Sequence, residues 1–152
     1  MMRKLMLALM PTVALTFPLS AAAADGLVKV KSEHPVAATA DKLANAITGK
    51  GLNIFARVNH TEGAEEAGME LRPTELIIFG NPKAGTPLMQ CAQSVGIDLP
   101  QKALIWEDED GEVWLGYNDP EYLKERHGME DCDEPLENVG KVLENFAEVA
   151  TQ

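Results

Sequence analysis

Basic side chains, aromatics and cysteines are all scarce in this 152-residue chain. Only 13 Lys and Arg stand against 24 Asp and Glu, a formal net charge of −11. A nucleic-acid binder displaces counterions from phosphates with a basic surface, so that partner class is excluded. Two cysteines are too few for a disulfide-dense scaffold or a four-Cys zinc site. Internal repeats, low-complexity tracts and linker-like stretches are absent, which leaves one domain rather than an array. The one long apolar run, Leu5 to Phe17, is interrupted by Pro11 and falls short of the roughly 17–25 residues of a membrane span, so no stable membrane insertion is expected. What is present, a hydrophobic content of 45%, is enough to build a core.

Residues 1–24 read as a cleaved secretory signal. Arg3 and Lys4 form its positive start, Leu5 to Phe17 its apolar middle, and the small residues from Ser20 to Ala24 allow a cut after Ala23 or Ala24. A periplasmic or secreted location is the expectation. Removing the signal takes two of the 13 basic side chains and none of the 24 acidic ones, so the net charge falls to −13. That acidic surplus favours solubility and repels anionic membranes and nucleic acids. An oxidising compartment also lets Cys91 and Cys132 join, and closing a loop of that length would stabilise by about 4 kcal/mol. Two free thiols are the competing state, and the sequence leaves both open.

The mature chain, residues 25–152, alternates between strand and helix patterns. Leu27 to Lys31 alternates Val and Lys, predicting a strand with valines inward. Pro35 suits a first helical turn, followed by Val36, Ala40, Leu43, Ala44 and Ile47 at helical spacing. Leu52, Ile54, Ala56 and Val58 predict a second alternating strand, and His60 to Gly68 a short helix over one sheet edge. Thr74 to Phe79 is expected as a strand buried on both faces. Gly80 to Gly85 reads as a loop, with Thr86 capping a helix that carries Pro87 in its first turn and runs to about Val95. Lys102–Glu107 and Glu112–Tyr117 flank the Asp110-Gly111 turn, a strong hairpin signal. A short helix opens at Asn118-Asp119-Pro120, and Leu136, Val139, Leu143, Phe146 and Ala150 mark a final amphipathic helix. The fold class expected is α+β: a single compact domain with a mainly antiparallel sheet of about five strands and helices packed on one face. Trp106 and Trp114, on the hairpin strands, are expected in the core, with a subunit contact as the alternative.

Four segments together are similar to a known family. They are Gly51 to His60, Gly68 to Thr74, Ile78 to Gln90 with Asp98-Leu99-Pro100, and Trp114 with Tyr117 to Pro120. The chain resembles the domain-of-unknown-function 302 family of small bacterial and archaeal proteins. The resemblance implies a compact fold related to the TATA-binding-protein-like arrangement and a homodimer, and it implies no activity. Asn59 stands where the family is expected to carry Asp before the His, and the cysteines do not look like family features.

Chemistry-bearing constellations are thin. Gly80 and Gly85 have the spacing of a phosphate-binding loop, but Thr86 occupies the position of its Lys, which excludes a nucleotide triphosphatase of that type. Free N–H groups at a helix start beside Lys83 could still receive a carboxylate or phosphate. Asn81, Lys83 and Thr86, with His60 and Arg72, are therefore the candidate residues for a small anionic ligand. His60 with Glu65, Glu66 and Glu70, or His127 with Asp131, Cys132 and Asp133, would have to supply any metal site, and neither group has a recognised ligand spacing. No metal or other cofactor is expected. The acidic hairpin tip Glu107 to Glu112 fails the calcium-loop pattern at both ends. No nucleophile elbow exists. The expectation is an exported, non-catalytic binding or interaction module; the alternative is a small metal- or thiol-dependent enzyme using His60 and Cys91.

Overall fold

The computed structural model describes residues 26–152. The expected export signal, residues 1–24, lies outside the described residues. Five strands form one wholly antiparallel sheet: β1 (Leu27–Ser32), β2 (Asn53–Asn59), β3 (Thr74–Gly80), β4 (Gln101–Glu107) and β5 (Val113–Asn118), in the spatial order β1-β5-β4-β3-β2. Five helices accompany them: α1 (Val36–Gly49), α2 (His60–Glu66), α3 (Pro82–Cys91), α4 (Pro120–His127) and α5 (Asp133–Thr151).

The α+β expectation holds, and its cause is local periodicity. In α1, Val36, Ala40, Leu43 and Ile47 recur at helical spacing and are all buried. On α5, Leu143, Phe146, Ala147 and Ala150 do the same. These two stripes close over Ile77, Phe79, Ala103, Ile105, Leu115 and Tyr117, alternate residues of the three central strands, to make the main core. Burial pushes the Tyr117 hydroxyl above its ordinary pKa, with Glu144 and Asp119 adding to the rise. A second, smaller core joins Leu88 of α3, Val95, Leu123 of α4, Met129, Cys132 and Leu136 at one end of the sheet.

Three local expectations are overturned. The alternation of β2 does not run through: a bulge at Phe55 shifts the register between Ile54 and Ala56. Ile54 consequently faces the core, while Ala56 and Val58 share the far face with their partners Ile78 and Leu76. Arg57 donates to Glu75 of β3 at 2.6 Å and to Asp41 of α1 at 2.9 Å, and those bonds raise its pKa.

Second, β3 is not buried on both faces. Ile77 and Phe79 are buried, whereas Leu76 and Ile78 are only half-buried on the far face, away from the main core. Third, Trp106 and Trp114 lie on that same face, directly opposite each other, and not in the core. Trp106 lies across Gly116, where a Cβ would approach its ring to 2.9 Å. Trp114 donates from Nε1 to Asp108 at 2.8 Å and sits under Lys29. That indole bond, then the backbone amides of Glu112 and Asp110, holds the Asp108 pKa below its usual range.

Candidate functional site

A cleft of about 810 Å³ opens where β2 begins and β3 ends, between α3 and α5. Its volume falls in the roughly 300–1,000 Å³ range of small-molecule sites. Most of its wall is apolar, and three large side chains stand unusually open there: Phe55 at 57%, Met89 at 37% and Val142 at 41% exposure. The bulge in β2 presents Phe55, the helical register of α5 presents Val142, and Phe79 lies in the floor.

The first wall is α3, and it begins earlier than the sequence predicts. Asn81, not Thr86, is the N-cap, and Pro82 takes the first helical position. Gly80 to Gly85 is therefore a strand end and a helical turn instead of a loop, and Pro87 lies inside the helix. The helix stops at Cys91, and a 3-10 segment, Gln93–Ile97, follows.

This start removes most of the expected amide cradle. Pro82 has no N–H, the Ala84 amide bonds Asn81 Oδ1 at 2.8 Å, and the Gly85 amide bonds the Asn81 carbonyl at 3.0 Å. Only the Lys83 amide is uncommitted in that first turn. What remains for an anion is the Lys83 side chain, exposed at the rim. It is the only cation among the described residues lining the cleft, and Glu134 is the only carboxylate.

The five candidate ligand residues thus divide. Asn81, Lys83 and Thr86 all line the cleft, Asn81 spending its side chain as a cap. His60 and Arg72 sit at the opposite end of the sheet: β2 runs from Asn53, paired with Gly80, to Asn59, paired with Glu75. Six strand steps of about 3.3 Å separate the two ends by roughly 20 Å. His60 there begins α2, with Asn59 as its cap, and Arg72 donates to the Glu107 carbonyl at 3.3 Å. Glu65 is exposed on α2. Among the described residues, no three His, Cys, Asp or Glu side chains gather as a metal site.

Cys91 and Cys132 are joined, with Cα atoms 6.2 Å apart, so neither is a free thiol. The bond ties the end of α3 to the N-cap of α5, and so spans the two helices that flank the cleft.

One constellation escaped the sequence reading. His127, its side chain 6% exposed, donates from Nε2 to Asp98 Oδ2 at 2.6 Å, while Ser94 Oγ lies 2.9 Å from Nδ1. These residues are 29 and 33 positions apart, so no local spacing announces them. Asp98 is also held by Arg126 at 3.5 Å, and its carbonyl accepts from Lys102 Nζ at 2.7 Å; burial lowers the Lys102 pKa against the pull of Asp98. The order of groups matches a nucleophile, its base and an orienting acid. Ser94 is exposed and does not line the cleft. The arrangement pins the end of α4 to the 3-10 segment.

Buried in the same cleft region is a further polar atom: Gln101 lines the cleft at the start of β4, and its Nε2 is buried with no hydrogen-bond partner.

The comparisons agree with this architecture. The family model described as domain of unknown function DUF302 matches residues 28–146. The crystal structure of an uncharacterized conserved protein DUF302 from Bacillus stearothermophilus superposes with a TM-score of 0.75 over 85% of this chain and 100% of that one, at 18% identity, which establishes a shared fold. Among curated proteins, the fluoride-specific ion channel FluC 1 of Brucella suis biovar 1 (strain 1330) is 51% identical over 112 residues, 74% of this chain and 44% of that relative. Fluoride-specific ion channel FluC 2 of Brucella melitensis biotype 1 matches equally over 42% of its length. The chain therefore spans less than half of the curated relatives it matches. No described helix is long and apolar enough to cross a membrane.

Proposed function

The chain belongs to the domain of unknown function DUF302 family, and from that premise we propose that it is an exported, non-catalytic binding module whose ligand seat is the cleft between α3 and α5. The observation that carries this reading is the open apolar wall of Phe55, Met89 and Val142 over a volume of about 810 Å³. Exposed apolar area grouped in a concavity marks a binding site more often than scattered surface residues do. The ligand has a mostly apolar body, and Lys83 at the rim attracts its anionic group.

A membrane channel name attaches to relatives more than twice the matched length. Fluoride therefore serves as a control ligand. The rival reading, an enzyme using His60 and Cys91, loses its support: Cys91 is spent in a disulfide and His60 stands at the far end of the sheet.

Octanoate tests the reading, because it joins a short apolar chain to one carboxylate. It is expected to raise the melting temperature with one-to-one stoichiometry. Lys83→Ala should weaken it about threefold to fivefold, as for an exposed charge contact. Val142→Asp, which sets a charge in the apolar wall, should abolish it. No shift from millimolar octanoate in the native chain would sink the proposal.

We further propose that two copies pair. The support is the far sheet face carrying Trp106, Trp114, Leu104, Leu76 and Ile78, an apolar area suited to a subunit contact. Tryptophan emission should shift as the protein is diluted through its dissociation range; emission constant over a range in which sedimentation shows one species would exclude pairing through this face.

A further inference from the structure

We propose that Ser94 is a covalent modification site, an activated serine that takes an acyl group from a small neutral ester. The site is separate from the cleft and does not depend on the cleft being a ligand seat. Ser94 lies on the 3-10 segment, Asp98 caps the end of that segment, and His127 ends α4. Ser94 Oγ is 2.9 Å from His127 Nδ1, and His127 Nε2 is 2.6 Å from Asp98 Oδ2.

Asp98 sets the state of the ring. A carboxylate only accepts, so Nε2 carries the proton and Nδ1 turns its lone pair to the Ser94 hydroxyl. That is the tautomer a general base needs. Arg126 stands 3.5 Å from Asp98 Oδ1 and holds the carboxylate from its other side. The relay is shielded while its working end is open: the His127 and Asp98 side chains are 6% and 11% exposed, whereas Ser94 is exposed. An acyl donor therefore reaches Oγ directly from solvent. Docking of α4 does not require this third member. The His127–Asp98 bond already joins the helix to the 3-10 segment, and an exposed hydroxyl bonds water about as well as it bonds imidazole.

The chemistry is acyl transfer. Ser94 Oγ attacks the ester carbonyl carbon while its proton passes to His127 Nδ1. The Oγ–carbon bond forms, the bond from that carbon to the leaving oxygen breaks, and the imidazolium returns the proton to the departing alkoxide. Ester and serine become acyl-serine and alcohol. Asp98 stabilises the imidazolium between the two proton transfers. The event is stoichiometric, so it leaves the cleft as a non-catalytic seat. A net charge of −11 repels anionic donors, which favours neutral ones.

The test treats the disulfide-bonded protein with p-nitrophenyl acetate and locates the acetyl group by peptide mapping. Ser94 should be acetylated; Ser32, the other described serine, is buried and should not be. Ser94→Ala should remove that acetyl group with the melting temperature kept within about 2 °C, as for an exposed side chain. His127→Gln should slow acetylation at Ser94 about a hundredfold or more, the contribution of a general base. Asp98→Asn preserves the side-chain shape and should slow it about tenfold or more, because an amide that donates to Nε2 drives the ring proton to Nδ1. That tautomer change is read in the nitrogen NMR spectrum of His127, and a bond that only pins α4 would not tie it to Ser94 reactivity. Asp98→Asn decides the matter by itself if His127→Gln does not fold. A native chain with no acetyl group on Ser94, or acetylation within threefold of the native rate in either folded variant, would overturn the proposal.

Discussion

Breaking the Cys91–Cys132 bond should lower the stability of this domain by about 4 kcal/mol. The cysteines are 41 positions apart, and the chain-entropy estimate for a loop of that size gives about this value, most of it from freeing the unfolded chain. For a domain of this length the loss corresponds to a fall in melting temperature of roughly 10–20 °C. The effect has a local part as well. Cys132 is buried with Leu88, Val95, Leu123, Met129 and Leu136, and Cys91 ends the helix that walls the cleft. A Cys91→Ser, Cys132→Ser double variant should therefore bind octanoate more weakly even at temperatures where it stays folded, because α3 is no longer tied to α5. Melting curves with and without reductant, and the double variant beside them, measure the effect. A shift under about 2 °C would mean that the small core alone holds α3.

Phe146→Ala should cost about 3–5 kcal/mol, the range for emptying a large aromatic from a core. Phe146 is 2% exposed and meets Phe79 edge-on, with ring centroids 5.8 Å apart. Such a pair adds to the burial term. Phe146 is the point at which the last helix locks to the centre of the sheet, and Phe79 is also the floor of the cleft. Urea unfolding should show a lower midpoint with an unchanged slope. Val149→Ala, three residues along the same helix and 50% exposed, should change stability by less than about 0.5 kcal/mol. Equal losses at the two positions would mean that α5 does not dock in the orientation described.

Both helices were legible because their signal is local. Val36, Ala40, Leu43 and Ile47, like Leu136, Leu143, Phe146 and Ala150, repeat at helical spacing, and one repeat determines one buried stripe. The Asp110-Gly111 hairpin was legible for the same reason, with Gly111 at φ 76, a conformation that glycine adopts without strain. The start of α3 was not. Asn81-Pro82 and Thr86-Pro87 are both a capping residue before a proline, and nothing nearby ranks them. The chain uses the first, which sets Leu88 into the small core and Cys91 against Cys132. The bulge at Phe55 was equally silent, because a run of alternating residues does not show where one extra residue breaks the register.

The candidate site followed the same division. Lys83 and Thr86 could be marked from the sequence, since a Gly- and Pro-framed segment before a helix is a local pattern. His60 and Arg72 could not be separated from them, because only strand direction puts them at the other end of the sheet. Gln101 gave no signal at all: an orphan donor is a property of its surroundings. Trp106 and Trp114 misled for a related reason. Ile105 and Leu115 beside them are also apolar, so β4 and β5 offer two apolar faces, and helix packing selects which is covered.

By itself, the amino-acid order determined the elements, the α+β class and the family likeness, because turns, caps and periodic stripes act over a few neighbouring residues. Which face of the sheet is buried, which proline opens α3, and that Phe55, Val142, Lys83 and Gln101 share one cleft were decided only in three dimensions. Those outcomes depend on competition among contacts distant along the chain, and no short stretch of sequence contains both competitors.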